Sequence, residues 1–279
     1  MNLRWATFAI AGLFLGFLIL FEILPGIFLG ITALTNKSGL TLEHLQEATK
    51  PLFLRALNNS LWLSLQSALE GALLGTLTAG ALWTSTNRKV KSFVTALSGV
   101  AANFAGVPLA FAFIVMLGIS GVLNYIFTST GLPTIDIYRR ENLHWIYLYF
   151  QWPLMTALML PAFGAIDKSW LEAARGMGAT SLLFWWRVGV PVLLPTLLGS
   201  SVLLFANSFG AYATVYALSQ GSINLLPTQI GFQVSGQVGY EPGAAAALSL
   251  VMATVLLVCL ALYRGSRSWA ERLQGGGRA

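Results

Sequence analysis

The chain has 279 residues, of which 56% are hydrophobic and only 9% are charged. This is more apolar surface than one soluble core needs, so the composition indicates an integral membrane protein and excludes a soluble globular domain. The net charge of +6 comes from basic residues spread over the loops, which argues against a nucleic-acid-binding patch. Cys259 is the one cysteine, and His44 and His144 lack metal-ligand spacing, so no disulfide, metal or other cofactor is expected.

Six apolar runs are long enough to cross a bilayer, for which a helix needs about 20 apolar residues. They lack the short alternating pattern of barrel strands, so helices are the expected way to satisfy the backbone hydrogen bonds. We therefore predict an all-α, polytopic fold with six transmembrane helices. In chain order, the runs are Trp5 to Thr32, Asn58 to Thr84, Phe93 to Gly118, Asn142 to Ala165, Pro195 to Leu218 and Gly243 to Tyr263.

The basic residues predict how these helices are oriented. With a cytoplasmic N-terminus, eleven Lys and Arg residues fall in cytoplasmic segments and five fall outside. Because cytoplasmic loops carry the excess of Lys and Arg, we predict that both termini are cytoplasmic. The first run is longer than the apolar region of a signal peptide and is interrupted by Glu22 and Pro25, so it is interpreted as an uncleaved anchor.

Three segments follow from this pattern. Residues 1–57 are predicted to form the anchor helix and an extracytoplasmic segment with a short amphipathic helix near Thr41. Residues 58–263 are predicted to hold five more helices and a cytoplasmic loop at 165–194. Residues 264–279 are basic and glycine-rich at their end, which predicts a frayed cytoplasmic tail.

The loop between the fourth and fifth runs has the most specific pattern in the chain. Ser169 and Glu172 have the spacing of a capping box, so a helix should begin near Trp170. Gly178 can end this helix in the left-handed conformation. Thr180 or Ser181 can cap a second short helix, which Pro191 would end. The predicted product is a compact helix-turn-helix against the membrane face.

Two interpretations of this first helix remain open. Small residues at Ala173 and Ala174 would let the backbone of another protein approach, while Glu172 and Arg175 would offer directional polar contacts. Alternatively, Glu172 only completes its own capping box. The wider spacing favours a docking function, because Gly178 follows six residues after Glu172 and an apolar element ending at Pro191 follows at a fixed distance.

This spacing resembles the EAA loop of permease subunits of binding-protein-dependent ABC importers, a resemblance that extends over about Asn58 to Tyr263. Glu172, Ala173, Ala174 and Gly178 match the motif, and Val188-Gly189-Val190-Pro191 stands where the family usually has Ile-x-Leu-Pro. The resemblance implies a type I importer permease architecture, in which the loop inserts into a groove on a cytoplasmic ATPase. The residues assigned to this coupling are Glu172, Ala173, Ala174, Arg175, Gly178 and Pro191.

The resemblance also implies the other partners and the location. They are an ATPase dimer, an extracytoplasmic solute-binding protein and a second permease, with a heterodimer favoured over a homodimer, in the cell inner membrane and without nucleic acid. Polyamine, iron and aminoethylphosphonate importers are the most similar in pattern. No phosphate-binding loop exists in the sequence, since Asn36 stands where the nearest imitation needs its second glycine, so the chain is expected to be a non-catalytic subunit.

Polar residues inside the apolar runs are candidates for the substrate path. Gln66 and Glu70 share one face of the second predicted helix with Asn59, because spacings of 7 and 4 residues return to the same side. The fifth predicted helix carries Asn207, Ser208 and Tyr212, and the first carries Glu22. Ionisable groups in membranes usually face protein or water, but Ser, Asn and Gln also join helices without any transport role.

Two other classes of protein stay in view. A proton-coupled secondary transporter would use Glu22 and Glu70 as proton carriers, although no inverted repeat is evident. A channel or a membrane scaffold would explain the apolar runs but not the Glu172 loop.

Overall fold

The computed structural model describes residues 3–36, 39–219, 221–235 and 241–275. Helices dominate, as predicted. In the first half of the chain they are α1 (Leu3–Leu18), α2 (Leu24–Leu34), α3 (Glu43–Glu47), α4 (Pro51–Thr84), α5 (Arg88–Asn103), α6 (Val107–Leu117) and α7 (Val122–Ser129). In the second half they are α8 (Leu143–Gly164), α9 (Lys168–Gly176), α10 (Ser181–Phe184), α11 (Val190–Phe209), α12 (Ala213–Ser219), α13 (Leu226–Ser235) and α14 (Pro242–Gly275).

Other regular elements join these helices. A π-helical turn at Ile19–Ile23 connects α1 to α2, another at Trp185–Gly189 connects α10 to α11, and a 3₁₀ turn at Arg140–Asn142 precedes α8. Two short antiparallel strands, β1 (Thr35–Asn36) and β2 (Gly39–Leu40), pair after α2.

Within the described residues, five helical segments are long and apolar enough to cross a membrane, so the chain is a multi-pass membrane protein. They are Ile10–Leu34, Val107–Ser129, Arg140–Gly164, Ser181–Phe209 and Pro242–Ser266. The predicted first, fourth and sixth runs match three of these. The second predicted run lies in α4. This helix has 34 residues, but it is not apolar enough to be counted among the five segments. Six transmembrane helices therefore remain a prediction.

Two of the predicted helices are broken in the structure. The run from Phe93 to Gly118 divides into α5 and α6, and Gly106 between them has a φ of +78°. The run from Pro195 to Leu218 divides at Gly210 into α11 and α12. The predictions of single helices at these two places were wrong, because distant side chains satisfy the backbone at the breaks. The hydroxyl of Thr214 accepts from Gly106 N–H at 2.8 Å, and Tyr147 Oη donates to the carbonyl of Ala211 at 3.2 Å.

The described residues form two compact units. The first comprises Met1–Leu57 and Gln229–Val255. In this unit Ala33 is fully buried and packs with Ala246 and Ala247, whereas the apolar side chains of α1 and α2 are largely exposed. Exposed apolar side chains along a spanning helix are expected where the surrounding solvent is lipid.

The predicted extracytoplasmic segment contains more structure than one amphipathic helix. The backbone N–H of Glu43 donates to Thr41 Oγ1 at 3.1 Å, as the cap-like start predicted, but α3 is only five residues long. Lys50 and Glu47 form an ion pair, and α4 already begins at Pro51. The lysine is the main reason that the pKa of Glu47 lies below its ordinary value.

The second unit comprises Asn58–Thr228 and Leu256–Ala279. Its centre is α8, against which α5 and α11 pack. Two glycines let α4 approach α8 closely. A Cβ built on Gly71 would lie 2.8 Å from Gln151 Cβ, and one on Gly75 would overlap Met155 Cβ and lie 2.8 Å from the backbone nitrogen of Thr156. Close packing through small residues four positions apart is a common way to join helices in membranes.

The predicted tail is also different. The last helix does not end near Tyr263 but continues to Gly275, and residues 276–279 lie outside the described part of the chain. Residues 264–275 are therefore helical, whereas the sequence predicted a frayed tail over 264–279. Where the candidate membrane span of this helix ends, Tyr263 and Ser266 pack over Gly199 of α11.

Candidate functional site

The helix of the Glu172 loop begins two residues earlier than predicted. Its N-terminal cap is Asp167, whose carboxylate accepts the backbone N–H of Ser169 at 2.9 Å. The predicted capping box between Ser169 and Glu172 was wrong, because Asp167 takes the cap position and Glu172 then falls in the second turn. Hydrogen bonds from the backbone and hydroxyl of Ser169 hold the pKa of Asp167 below its ordinary value.

We expect Asp167→Ala to loosen the start of α9, whereas Asp167→Asn should preserve it, since an asparagine accepts the same backbone bond. Hydrogen exchange at Ser169 and Trp170 should become several-fold faster in the alanine variant only. Because the carboxyl pKa is lowered in the folded state, the cap is fully present above the unfolded pKa of about 3.9 and is lost as pH falls through the folded value. Equal exchange rates in both variants would contradict this cap.

The end of α9 agrees with the prediction. Gly178 has a φ of +82°, and its N–H donates to the carbonyl of Arg175 at 2.9 Å. The N–H of Ala179 reaches back to the carbonyl of Ala174 at 2.9 Å, which completes a Schellman motif. A glycine suits this position because side chains are strained at positive φ. The helix therefore stops abruptly and the chain turns back toward the membrane helices.

The two faces of α9 have different environments. Leu171 and Ala174 are half-buried and pack against an apolar cluster to which α4, α8 and α11 contribute. Glu172, Ala173 and Arg175 are exposed. Of the two small residues predicted for docking, Ala173 is therefore exposed and Ala174 is half-buried against this cluster.

The sequence analysis did not identify one exposed residue at the end of this helix as a candidate contact. Met177, just after α9, is 82% exposed. Its position before the helix-ending Gly178 could have identified it, since a flexible apolar side chain at a protruding turn suits adaptable contacts. We call the exposed residues Glu172, Ala173, Gly176 and Met177 the docking face, after the role that the sequence predicts for this helix.

Glu172 has a free carboxylate in the structure. Among the described residues, no hydrogen bond or ion pair to its side chain is found, and the cap that would have occupied it belongs to Asp167. Arg175, in contrast, donates from Nη2 to Ser181 Oγ at 3.0 Å and so ties α9 to α10. The docking face thus presents one unpaired negative charge among small and apolar side chains.

The second helix of the loop starts as predicted but does not end as predicted. Thr180 Oγ1 accepts the N–H of Leu183 at 3.2 Å and caps α10. The helix then widens through the π turn and continues into α11, so Pro191 does not terminate it. A proline ring clashes with the carbonyl four residues earlier, here that of Arg187, and the wider turn before Pro191 accommodates the ring.

Among the predicted substrate-path residues, Ser208 lies in a buried polar network. Its hydroxyl contacts Ser67 Oγ at 2.7 Å and accepts from Gln151 Nε2, and all three side chains are at most 2% exposed. Gln151 also donates to the carbonyl of Leu204 at 2.6 Å. This network joins α4, α8 and α11, and Ser208 is buried within it, so its predicted place on the substrate path stays a prediction.

Gln151 was missed in the sequence analysis, which searched only the second and fifth runs for polar faces. The fourth run contains it as an isolated polar residue between Phe150 and Trp152. A single amide in the middle of an apolar run is costly unless it is bonded, and this could have identified it.

Asn207 and Tyr212 lie on a different side of the broken helix from Ser208. Both line a cavity of about 530 Å³ between the break that follows α5 and the break that follows α11. Asn207 is exposed and donates weakly to Gln151 Oε1 at 3.4 Å, while the ring of Tyr212 stacks on Tyr216 with centroids 5.1 Å apart. The remaining lining is mostly small, with Ala, Gly and Thr residues from both breaks.

Gln66 and Glu70 form a pair on the exposed side of α4. Gln66 Nε2 donates to Glu70 Oε1 at 2.9 Å, and Glu70 Oε2 is buried without a hydrogen bond. Asn59, predicted to share their face, instead bonds the carbonyl of Asn224 and receives a bond from Arg140. Glu22 is exposed within the π turn that follows α1. In the described residues, no group of three or more His, Cys, Asp or Glu side chains could hold a metal ion.

The described residues thus define the class of multi-pass helical membrane proteins, here with a short amphipathic helix, α9, that exposes an unpaired carboxylate. The comparisons agree with this class. No protein-family model matches the sequence. The chain is 26% identical over 270 residues to the spermidine/putrescine transport system permease protein PotB of Escherichia coli (strain K12), which covers 93% of this chain and 97% of the relative.

Other relatives match over shorter stretches. PotB of Haemophilus influenzae is 24% identical over 156 residues, 55% of this chain and 54% of the relative. The molybdenum transport system permease protein ModB of Mycobacterium bovis is 41% identical over 85 residues, 29% of this chain and 31% of the relative. The matches thus span about half of the first relative and about a third of the second.

Solved structures show the same fold. A bacterial ABC transporter involved in the import of the acidic polysaccharide alginate matches with a TM-score of 0.75 at 20% identity, over 95% of this chain and 96% of that one. The MetNI methionine ABC transporter matches with a TM-score of 0.60 at 18% identity, over 78% and 95%. The predicted resemblance to importer permeases is confirmed, and the comparisons support an ABC importer permease subunit.

Proposed function

We propose that this chain is a non-catalytic permease subunit in the cell inner membrane and that a cytoplasmic ATPase dimer drives it through the Glu172 loop. The observation that carries the proposal is the docking face, whose carboxylate the protein itself leaves unpaired. Closure of the ATPase on ATP would displace α9 and shift the membrane helices between inward-facing and outward-facing packings, a two-state change biased by nucleotide. The basic-residue count supports cytoplasmic termini and a cytoplasmic loop.

The remaining partners follow from the related proteins. We infer a second permease, different from this one by the narrower resemblance to polyamine importers, and an extracytoplasmic solute-binding protein. One related solved structure contains an alginate-bound periplasmic protein. The three-part division into an anchor at 1–57, a permease core at 58–263 and a tail at 264–279 belongs to the same proposal.

We propose that the cargo is a small polar solute that passes the cavity beside Asn207 and Tyr212. A polyamine, iron or an aminoethylphosphonate would fit the narrower resemblance, although the names of the relatives span cationic and anionic solutes. Gln66 and Glu70 support a path along the exposed side of α4, because a polar pair is costly against lipid and favours water or protein. Glu22 is exposed on an otherwise apolar helix and is proposed to contribute on the same grounds.

Cysteine labelling tests the position of the path. In a Cys259→Ala background, we expect a membrane-impermeant maleimide to label Asn207→Cys and to do so at a rate that ATP and vanadate change at least five-fold. Ser208→Cys is the matched control, because the neighbouring side chain is buried in the helix-joining network and should stay unlabelled. Equal labelling of both positions, or no response to nucleotide, would contradict the path.

Reconstitution tests the function itself. The chain, its ATPase and the second permease would be placed in liposomes, and uptake of labelled spermidine, iron and 2-aminoethylphosphonate would be measured with ATP and, separately, with a proton gradient. ATP-dependent uptake supports the importer. Uptake that follows the proton gradient without ATP would establish the alternative, a proton-coupled transporter in which Glu22 and Glu70 carry protons; the exposed position of Glu22 and the unpaired Oε2 of Glu70 are its structural basis.

A further inference from the structure

The junction between the Glu172 loop and the membrane helices is unusually tight at one residue. Gly189 is buried at the end of the π turn, and the indole of Trp185 lies directly on its backbone. A Cβ added at Gly189 would overlap Trp185 Cε3 and lie 2.6 Å from Cζ3. Any side chain larger than hydrogen at this position must therefore push the indole out of its place.

Trp185 in turn contacts three other aromatic rings. Its ring centroid lies 5.6 Å from that of Trp83 and 6.1 Å from that of Phe163, with edge-to-face geometry in both pairs. Phe184 is 5.8 Å away in the same arrangement. Trp83 lies in the last turn of α4 and Phe163 in the last turn of α8, so one indole joins the ends of two membrane helices to the loop.

The helix that carries the docking face is attached to this same group of rings. Lys168, the first residue of α9, places Nζ 5.8 Å from the centroid of the Trp83 ring, within the range of a cation–π contact. At the other end of α9, Arg175 is bonded to Ser181 at the start of α10. The first end of α9 is therefore connected to Trp185 through the Trp83 ring, and the other end is bonded to α10, the helix that directly precedes Trp185.

From this arrangement we infer that Trp185, held in place by Gly189, is a positioning residue that transmits movement of the docking helix to α4 and α8. The inference rests on the proposed function. Packed rings resist compression, so a displaced α9 carries the ends of both membrane helices with it and does not slide over them. The π turn provides the geometry, because it brings the indole at position 185 over the backbone at position 189. Trp185 belongs neither to the docking face nor to the residues that line the cavity beside Asn207.

The test separates ATPase binding from its transmission. Gly189→Ala should displace the indole while leaving the docking face intact. In the full complex, we expect this variant to bind the ATPase with unchanged affinity and to hydrolyse ATP. Its ATP-dependent change in the rate of maleimide labelling at Asn207→Cys should be at least five-fold smaller than in the parent. Gly164→Ala is the matched control, because nothing lies within 4 Å of its added Cβ. This control should behave as the parent does.

A second substitution provides rescue. Trp185→Phe keeps an aromatic ring and removes the part of the indole that meets position 189, so Gly189→Ala with Trp185→Phe should recover most of the labelling change. If Trp185 mattered only for folding, Gly189→Ala would lower the ATPase affinity and the labelling change together. The single and the double variant would then behave alike. Full labelling change in Gly189→Ala, parallel loss of ATPase binding, or absence of rescue would each overturn the inference.

Two further outcomes have to be considered, namely that Gly189→Ala does not insert and that the parent complex does not respond to nucleotide. If Gly189→Ala fails to insert, Trp83→Leu removes the ring at the α4 side of the same contact, and a normal labelling change in that variant would equally overturn the inference. If the parent complex shows no nucleotide response at Asn207→Cys, the substrate path within the proposed function fails before the role of Trp185 is examined. The two failures are therefore distinguishable.

Discussion

Replacement of Glu172 by lysine should abolish stable association with the ATPase while the protein still folds and inserts. The carboxylate is exposed and makes no bond to the described part of its own chain, so its loss costs the subunit nothing internally. If the ATPase buries this carboxylate in a hydrogen-bonded charge pair, removing it costs about 2–5 kcal/mol, since truncating one partner of such a buried pair typically has this effect. That corresponds to roughly a 30-fold or greater loss of affinity, since 1.4 kcal/mol is tenfold.

The measurement is the Kd of the purified ATPase for the permease in detergent or nanodiscs. Lys89→Glu is a suitable control, because Lys89 is exposed at the start of α5 and is predicted to lie on the same side of the membrane as Glu172. Its reversal also changes the net charge by two. Met177→Asp tests the missed part of the docking face and should weaken binding as well. If both docking-face variants bind as tightly as the parent, the docking face does not contact the ATPase.

The ends of the docking helix show what local sequence can and cannot predict. Gly178 was predicted correctly, and Thr180 was one of the two caps predicted for α10. Each acts on its immediate neighbours, through a positive φ and a cap bond three residues away. The start was wrong because both Asp167 and Ser169 can serve as caps. Tertiary packing favours the earlier one, since Ile166, just before Asp167, is buried in the apolar cluster. A local pattern does not contain that contact.

The broken helices were missed because hydropathy alone was used to delimit them. Apolar residues flank Gly106 and Gly210 on both sides, although Pro108 at the start of α6 was a local signal for the first break. What allows the helices to break is the distant hydroxyl of Thr214 and the phenol of Tyr147, which satisfy the exposed backbone groups. Sequence reasoning identified Asn207, Ser208 and Tyr212 as polar, but the burial of Ser208 against Ser67 and Gln151 depends on tertiary contacts that a local pattern does not contain.

Gly75→Leu should prevent α4 from packing on α8 and is the substitution with the largest expected effect on folding. The added Cβ alone would overlap Met155 and crowd the backbone of Thr156, which cannot move as a side chain can. Overpacking a close contact costs about 1–3 kcal/mol and occasionally more, and leucine adds three further carbon atoms. The separated helices would also weaken the bond from Trp152 Nε1 to Thr78 Oγ1, which is 2.8 Å long. Thermal unfolding of the detergent-purified protein would measure the loss.

Gly99→Leu makes the comparison informative. Gly99 lies inside α5, and nothing is found within 4 Å of its added Cβ, so leucine there changes hydrophobicity and helix propensity by the same amount without a steric clash. Since leucine favours helix over glycine by roughly 0.8 kcal/mol, this control should unfold at the same temperature as the parent or higher. Gly75→Ala should fall between the parent and Gly75→Leu. If leucine at 75 is tolerated as well as leucine at 99, α4 does not depend on its small-residue face to reach α8, and the Ser67–Ser208 network would have to hold the two helices together.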